Sequence, residues 1–289
     1  MKERTMMKIL CDSASDLSLS YIEENNIHLF PLTISIGEDE YRDIFEITTD
    51  KIYDSILAGI RPKTSQVSLS EFVDQFSAMA KAGESGIYIS LSSKLSGTHQ
   101  TALLAYRAVK EDYPDFDLRI VDSKSGSIGT GVIVIEAVDY LQAGKDLDTI
   151  ENRLLFMADN LMTLFTITDL NYLAEGGRIS KTSASIGSLL QINPVLVLVD
   201  GAVEVAEKIR GKKRVVKRIL DILDEEADQL SLQTVGIAYS NDLESKEKLE
   251  EAIADKFSPK AIVARPVGAT IGSHTGLGTL GVTFLKKYS

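Results

Sequence analysis

Gly86-Ile87-Tyr88-Ile89-Ser90-Leu91 runs directly into Ser92-Ser93-Lys94-Leu95-Ser96-Gly97-Thr98, and a helical stretch follows from about His99 to Glu111. An apolar strand, a turn of small hydroxyl residues and a helix start make one repeating unit of a helix-covered parallel sheet. The unit recurs downstream, where Leu118–Val121 leads through Asp122-Ser123-Lys124-Ser125-Gly126, Gly129 and Gly131 into an apolar helix reaching Gln142. Upstream, Lys8–Cys11 reads as the first strand and Asp12-Ser13 as its polar turn, with Ser20 and Glu23 spaced as a capping box for a helix ending near Asn25. His28–Ile36 is the next extended segment, Thr49 or Asp50 can cap a helix ending near Gly59, and Ser68 with Glu71 caps Phe72–Lys81. Lys63-Thr64-Ser65-Gln66 reads as an exposed polar loop between these helices. Open parallel sheets bind ligands at the carboxyl ends of their strands, so the hydroxyl-rich turns are expected to face one crevice.

Periodicity breaks at Gly144–Asp148, before a helix beginning around Thr149. Beyond it, Leu161–Ile167, Val195–Val199, Val203–Ala206, Thr234–Tyr239 and Ala261–Val267 read as strands, with Asp200-Gly201 as a hairpin turn. A hairpin implies antiparallel pairing. The expectation is an α/β chain: an N-terminal, mostly parallel-sheet α/β domain over residues 1–147, and a C-terminal α+β domain with a mixed or antiparallel sheet over 148–289, with a ligand between them.

Composition narrows the function. The 289 residues are 44% hydrophobic and 25% charged with six Pro, which fits a folded globular chain of about two domains. A formal net charge of −11 opposes general affinity for nucleic acid or anionic membrane, so an anionic ligand must be met locally. Cys11 is the only cysteine, which excludes an intramolecular disulfide and any multi-cysteine zinc site. No apolar run approaches the ~20 residues of a membrane span, and the start Met1-Lys2-Glu3-Arg4-Thr5 lacks the apolar core of a signal peptide. Cytoplasmic residence is the expectation.

Three segments carry chemistry. At Ser96-Gly97-Thr98, exposed amides and the positive end of a helix favour an anion, although Ser96 serves equally as a plain N-cap. Gly268-Ala269-Thr270-Ile271-Gly272-Ser273-His274-Thr275-Gly276-Leu277-Gly278 lets backbone approach a ligand closely and sets His274 to donate to an anion or act as acid or base, unless it is a flexible turn with a surface histidine. Glu175-Gly176-Gly177-Arg178-Ile179-Ser180 presents a guanidinium from a turn, suited to a carboxylate or phosphate. The stretch Lys208, Arg210, Lys212, Lys213, Arg214, Lys217 and Arg218 is a solvated helix face or, more sharply, a dock for an acidic partner. P-loop, dinucleotide, nucleophile-elbow and zincin signatures are absent, and Asp12, Asp122 and Asp169 have no metal-ligand spacing.

In order along the chain, Ile9-Leu10-Cys11-Asp12-Ser13, Lys63–Gln66, Ser92–Thr98, Glu175–Ser180, Arg210-Gly211-Lys212-Lys213 and Ile271-Gly272-Ser273-His274-Thr275-Gly276 resemble the DegV family, the fatty acid-binding subunits of bacterial fatty acid kinase. The departures are Cys11, where the family more often has Thr, and His99, where it usually has Tyr. The resemblance implies a non-catalytic carrier with no cofactor and no metal, whose ligand is a long-chain fatty acid. Thr64 and Ser96 correspond to the family's carboxylate-binding hydroxyls, with the adjacent Gly97 and Thr98 backbone, His274 to its pocket histidine, and Arg178 and Arg210 to its mouth or partner contact. It implies as partner an ATP-binding kinase subunit that forms acyl-phosphate for phospholipid synthesis, with no nucleic acid and with transient membrane contact left open. The rival reading of the residues is an acyl- or phosphoryl-transfer enzyme with Ser96 as nucleophile and His274 as base, for which the sequence offers no recognisable third, orienting group.

Overall fold

A computed structural model describes residues 7–179 and 192–287, with the side chains of Asn171, Ile192, Arg210, Lys212 and Lys213 outside that description. Among the described residues the strands form three sheets.

The first sheet is built from β1 (Met7–Asp12), β2 (His28–Phe30), β6 (Ser85–Ser90) and β7 (Leu118–Asp122), all parallel, in the order β2-β1-β6-β7. Alternation along these strands feeds two cores. Ile9, Cys11, Ile87 and Ile89 face one core together with α1 (Leu19–Glu24), α5 (Ile128–Gln142) and α6 (Leu147–Asn160). Leu10, Tyr88 and Leu118 face the other, with α3 (Leu69–Ala82) and α4 (Thr98–Asp112), where Phe30, Phe72 and Tyr88 stack with centroids 4.4–5.6 Å apart. Cys11 is therefore a core residue, its thiol pushed up by burial and set 3.8 Å from the Ser15 hydroxyl.

The second sheet runs β10 (Ala202–Arg210), β9 (Ile192–Val199), β8 (Leu161–Thr166), β13 (Leu280–Leu285), β11 (Thr234–Tyr239), β12 (Ala261–Pro266). Only the β11–β12 pair is parallel, so the sheet is mixed, as expected of the C-terminal half. Its outer face is covered by α8 (Lys212–Glu226) and α9 (Leu243–Phe257). Asp200 and Gly201, with φ of 45° and 82°, make the tight turn of the expected hairpin. That hairpin is tied to the first layer, because the Ser92 hydroxyl donates to the Gly201 carbonyl at 2.8 Å and Lys124 reaches Asp159 and Asp200.

Between the two sheets lies α5. Every residue from Ile128 to Val134 is buried, which accounts for a helix apolar on all sides. By its contacts α6 also stays with the first sheet, contributing Leu147, Ile150, Leu154 and Met157 to that core.

Several local expectations change. The N-cap of α1 is Ser18, which accepts from the Tyr21 amide at 3.2 Å, and Ser20 lies inside the helix. His28–Ile36 is broken into β2 and β3 (Thr33–Ile36), and β3 joins a small antiparallel sheet with β4 (Asp39–Arg42) and β5 (Lys63–Ser65). Thr64 is thus on a strand, half-buried opposite Ile34, rather than in an exposed loop. The glycine-rich C-terminal segment is helical over α10 (Ala269–Thr275), and Ala269 packs with Ile34, Ile47 and Ile52 of the N-terminal half. The contact between β5 and α10 is what carries C-terminal residues to the crevice.

Candidate ligand cavity

A cavity of about 380 Å³ lies between the two layers, within the size range of small-ligand sites. Leu91, Leu95 and Ile271 supply apolar wall from the first layer side; Phe165, Leu198, Val203 and Val282 supply it from the second sheet. Thr64, Ser96, Gly97, Arg178 and His274 line the same cavity, so the structure brings five of the expected site residues together.

The turn after β6 sets Ser96. The Leu91 amide donates to Asp12 Oδ2 at 2.8 Å, pinning the strand end, and the Ser96 amide donates to the Ser92 carbonyl at 3.1 Å. Thr98, whose backbone is expected beside the carboxylate, is fully buried and is not among the residues lining the cavity. Its amide donates to Ser96 Oγ at 3.3 Å and its hydroxyl lies 2.9 Å from the same oxygen, so Thr98 supports Ser96 from behind. An added Cβ at Gly97 would sit 2.0 Å from Gln66 Oε1, so a larger residue here would push the end of the Gln66 side chain aside. The Gln66 amide is held in that position by donating to Thr101 Oγ1 at 2.5 Å.

β5 delivers Thr64 and α10 delivers His274, with Thr64 Oγ1 and His274 Nε2 2.7 Å apart. His274 Nδ1 is buried without a hydrogen-bond partner. Burial, and then the positive charges of Arg178 and Arg61, push the His274 pKa down to about 4, so the ring is neutral at pH 7. Arg178 is half-buried, spending Nε on the Leu95 carbonyl at 3.1 Å and Nη1 on the Gly176 carbonyl at 2.7 Å. Burial lowers its pKa, and among the described residues no carboxylate pairs with it.

Arg61 lies beside His274 without lining the cavity, and it has no sequence signal beyond its place before Pro62. Its guanidinium pairs with Glu175, donates to the Tyr172 carbonyl and lies 4.4 Å from the Tyr172 ring centroid, clasping α7 (Leu170–Glu175) beside His274. Also unforeseen is a chain of hydroxyls: Thr163 of β8 and Thr283 of β13 line the cavity 2.8 Å apart, and Ser125, in the turn before α5, lies 3.0 Å from Thr163. His99 is turned away from the cavity, bonded through Nδ1 to the Ser90 hydroxyl at 2.8 Å. Arg210 closes β10, but its side chain lies outside the described residues, as do Ser180 and the side chains of Lys212 and Lys213. In the basic stretch, Arg218 is paired with Glu207 at 2.8 Å and Glu225 at 3.3 Å.

Among the described residues no group of three or more His, Cys, Asp or Glu is arranged to hold a metal, and no helix is long and apolar enough to cross a membrane. Nor does a hydrogen bond join Ser96 to His274.

The profile of the family described as "Uncharacterised protein, DegV family COG1307" matches residues 6–287. A DegV domain-containing protein of Clostridium perfringens is 38% identical over 280 residues, covering 96% of each chain. The solved structure of a fatty acid-binding DegV family protein from Thermus thermophilus is similar with a TM-score of 0.89 at 29% identity, over 98% of this chain and 100% of that one. A stearic acid-binding protein from Eubacterium ventriosum is similar with a TM-score of 0.87 at 27% identity, over 98% and 99%.

Proposed function

The chain belongs to the DegV family, and on that premise we propose that it encloses a long-chain fatty acid and presents the carboxylate to an ATP-dependent kinase subunit for acyl-phosphate formation. The observation that carries this reading is the placing of two hydroxyls, Ser96 and Thr64, at the cavity's polar end, each beside a group able to donate to it. A carboxylate only accepts hydrogen bonds, so its site must offer donors. Ser96 Oγ receives the Thr98 amide and can receive the Thr98 hydroxyl, which leaves the Ser96 proton for the ligand. With Nε2 protonated, neutral His274 donates to Thr64 Oγ1 and leaves the Thr64 proton for the ligand in the same way.

Energetics assign the rest. A chain of about 16 carbons at roughly 0.8 kcal/mol per methylene gains about 12 kcal/mol of gross transfer free energy, against association costs of several kcal/mol. Each charged hydrogen bond contributes only about 1.5–3 kcal/mol, offset by desolvating the carboxylate. Acyl burial sets affinity, and Ser96 and Thr64 set orientation. Neutral donors keep the carboxylate available to a phosphoryl donor, and Arg178 and Arg210 lie on the segments that would meet a partner or its phosphate. Ser/His catalysis is disfavoured because no hydrogen bond joins Ser96 to His274, whose Nε2 is engaged by Thr64. The test is turnover with a fatty acid kinase subunit, ATP and palmitate: acyl-phosphate forms with the native chain and falls with Ser96→Ala and with Arg210→Ala. Undiminished turnover in both variants contradicts the assignment.

A further inference from the structure

Behind the cavity wall, Asp43 is a buried carboxylate with no described Lys or Arg as ion-pair partner. Such a group is costly unless hydrogen bonds satisfy it. Its Oδ2 accepts from the Ser13 hydroxyl at 2.8 Å and from the Thr270 hydroxyl at 2.5 Å. The neighbouring backbone is strained to aim it: Ile44, a β-branched residue, has φ of +70°. Thr270 is the second residue of α10 and lines the cavity, and His274 follows four residues later on the same helical face.

α10 cannot orient itself. It has seven residues, and its N-cap, Gly268, offers no side chain to the first turn. A helix this short is marginal alone, so its rotation is fixed by what grips it. Beside the packing of Ala269 against Ile34, Ile47 and Ile52, its polar grips are Asp43 on Thr270 at one end and Thr64 on His274 at the other. Rotating the helix about its axis would carry Thr270 and His274 together, because they share a face.

We infer that Asp43 is a positioning residue: by holding the Thr270 hydroxyl, it fixes the rotation of α10 that presents His274 Nε2 to Thr64 and so turns the Thr64 proton toward the ligand. This rests on the carboxylate-site reading above. Ser13 serves Asp43 from the strand-end turn of β1 and also receives the Leu32 amide at 3.1 Å, which ties the device to the first sheet.

The experiment measures palmitate and 1-hexadecanol affinities for the delipidated full chain and takes their ratio, which isolates headgroup recognition from acyl burial. Thr270→Val, nearly the same shape without the hydroxyl, is expected to lower the palmitate-over-alcohol ratio about 5-fold, the size of one hydrogen bond. His274→Gln lowers the ratio as well, and the double variant lowers it no further than His274→Gln does. Asp43→Asn, whose carbonyl oxygen still accepts both hydroxyls, keeps more of the preference than Asp43→Ala. A wild-type ratio in Thr270→Val beside a lowered one in His274→Gln, or losses that add in the double variant, overturns the inference and leaves the carboxylate site standing. A wild-type ratio in His274→Gln overturns both.

Discussion

The imidazole of His274 and the hydroxyl of Thr64 stand 2.7 Å apart across 210 residues of sequence. One sits on a strand of the small N-terminal sheet, the other on a C-terminal helix that packs back over it. That pairing, beside an apolar cavity between two sheets, joins the fold to the proposed chemistry.

Losing a headgroup hydroxyl should weaken binding without abolishing it. Ser96→Ala and Thr64→Val each remove one donor to a charged acceptor, a loss of about 1.5–3 kcal/mol, or roughly 10- to 150-fold in Kd. Titration of delipidated protein with palmitate reads this directly, while the affinity for an uncharged long-chain alcohol changes less.

His274 gives a pH prediction of definite sign. Its folded pKa, about 4, lies below the 6.5 of the free ring. Above pH 6.5 both folded and unfolded rings are neutral; between 6.5 and 4 the unfolded ring takes the proton first, so stability is lost as pH falls through that window. The stability difference between wild type and His274→Gln should shrink by up to about 3 kcal/mol from pH 7 to pH 4, measured by urea unfolding. The difference matters, because Asp12 and Asp16, raised by burial to about 6 and about 7, act in the opposite direction in both proteins. Nitrogen chemical shifts of the ring should stay those of neutral imidazole at pH 5.5.

Filling the channel should change which chains fit. A Cβ at Gly126 would meet Leu91, Ile271 and Leu95 side chains at 3.1–3.7 Å, and its φ is ordinary, so Gly126→Leu extends into the cavity without backbone strain. We expect stearate affinity to fall at least 10-fold while decanoate is retained, read by competition with a fluorescent fatty acid. Equal loss for both would mean the residue is not on the acyl path.

Arg61 should govern release. Arg61→Ala removes the ion pair to Glu175, the bond to the Tyr172 carbonyl and the stacking on its ring, loosening α7 next to the polar end. Stopped-flow displacement should show several-fold faster dissociation. Lys should not restore the rate, since the planar fork and stacking belong to guanidinium.

Much of this was legible in the chain. The parallel strands around Ile9, Ile87 and Ile120 announce themselves as short apolar runs, and Asp200-Gly201 is a turn by its own chemistry. Ser96, Gly97 and His274 were legible as small or ionisable residues at strand-to-helix turns. Other features are tertiary in origin. α10 lacks its own cap and apolar period, since Gly272 and Ser273 interrupt it, so its helicity depends on Asp43 and the Ile34 core. β13, an apolar run directly after the glycine-rich segment, is missing from the expected strands, yet it sits mid-sheet between β8 and β11. β5 is three polar-looking residues whose pairing comes from Ile34 across the sheet.

The most direct measurement is calorimetric titration of palmitate into delipidated, folded protein, with mass spectrometry of a denaturing extract of the protein as purified. We predict one long-chain fatty acid per chain in the extract and saturable 1:1 uptake, with a rise in melting temperature as ligand exceeds Kd. Protein that stays folded, carries no lipid and takes up none at saturating palmitate would contradict the account.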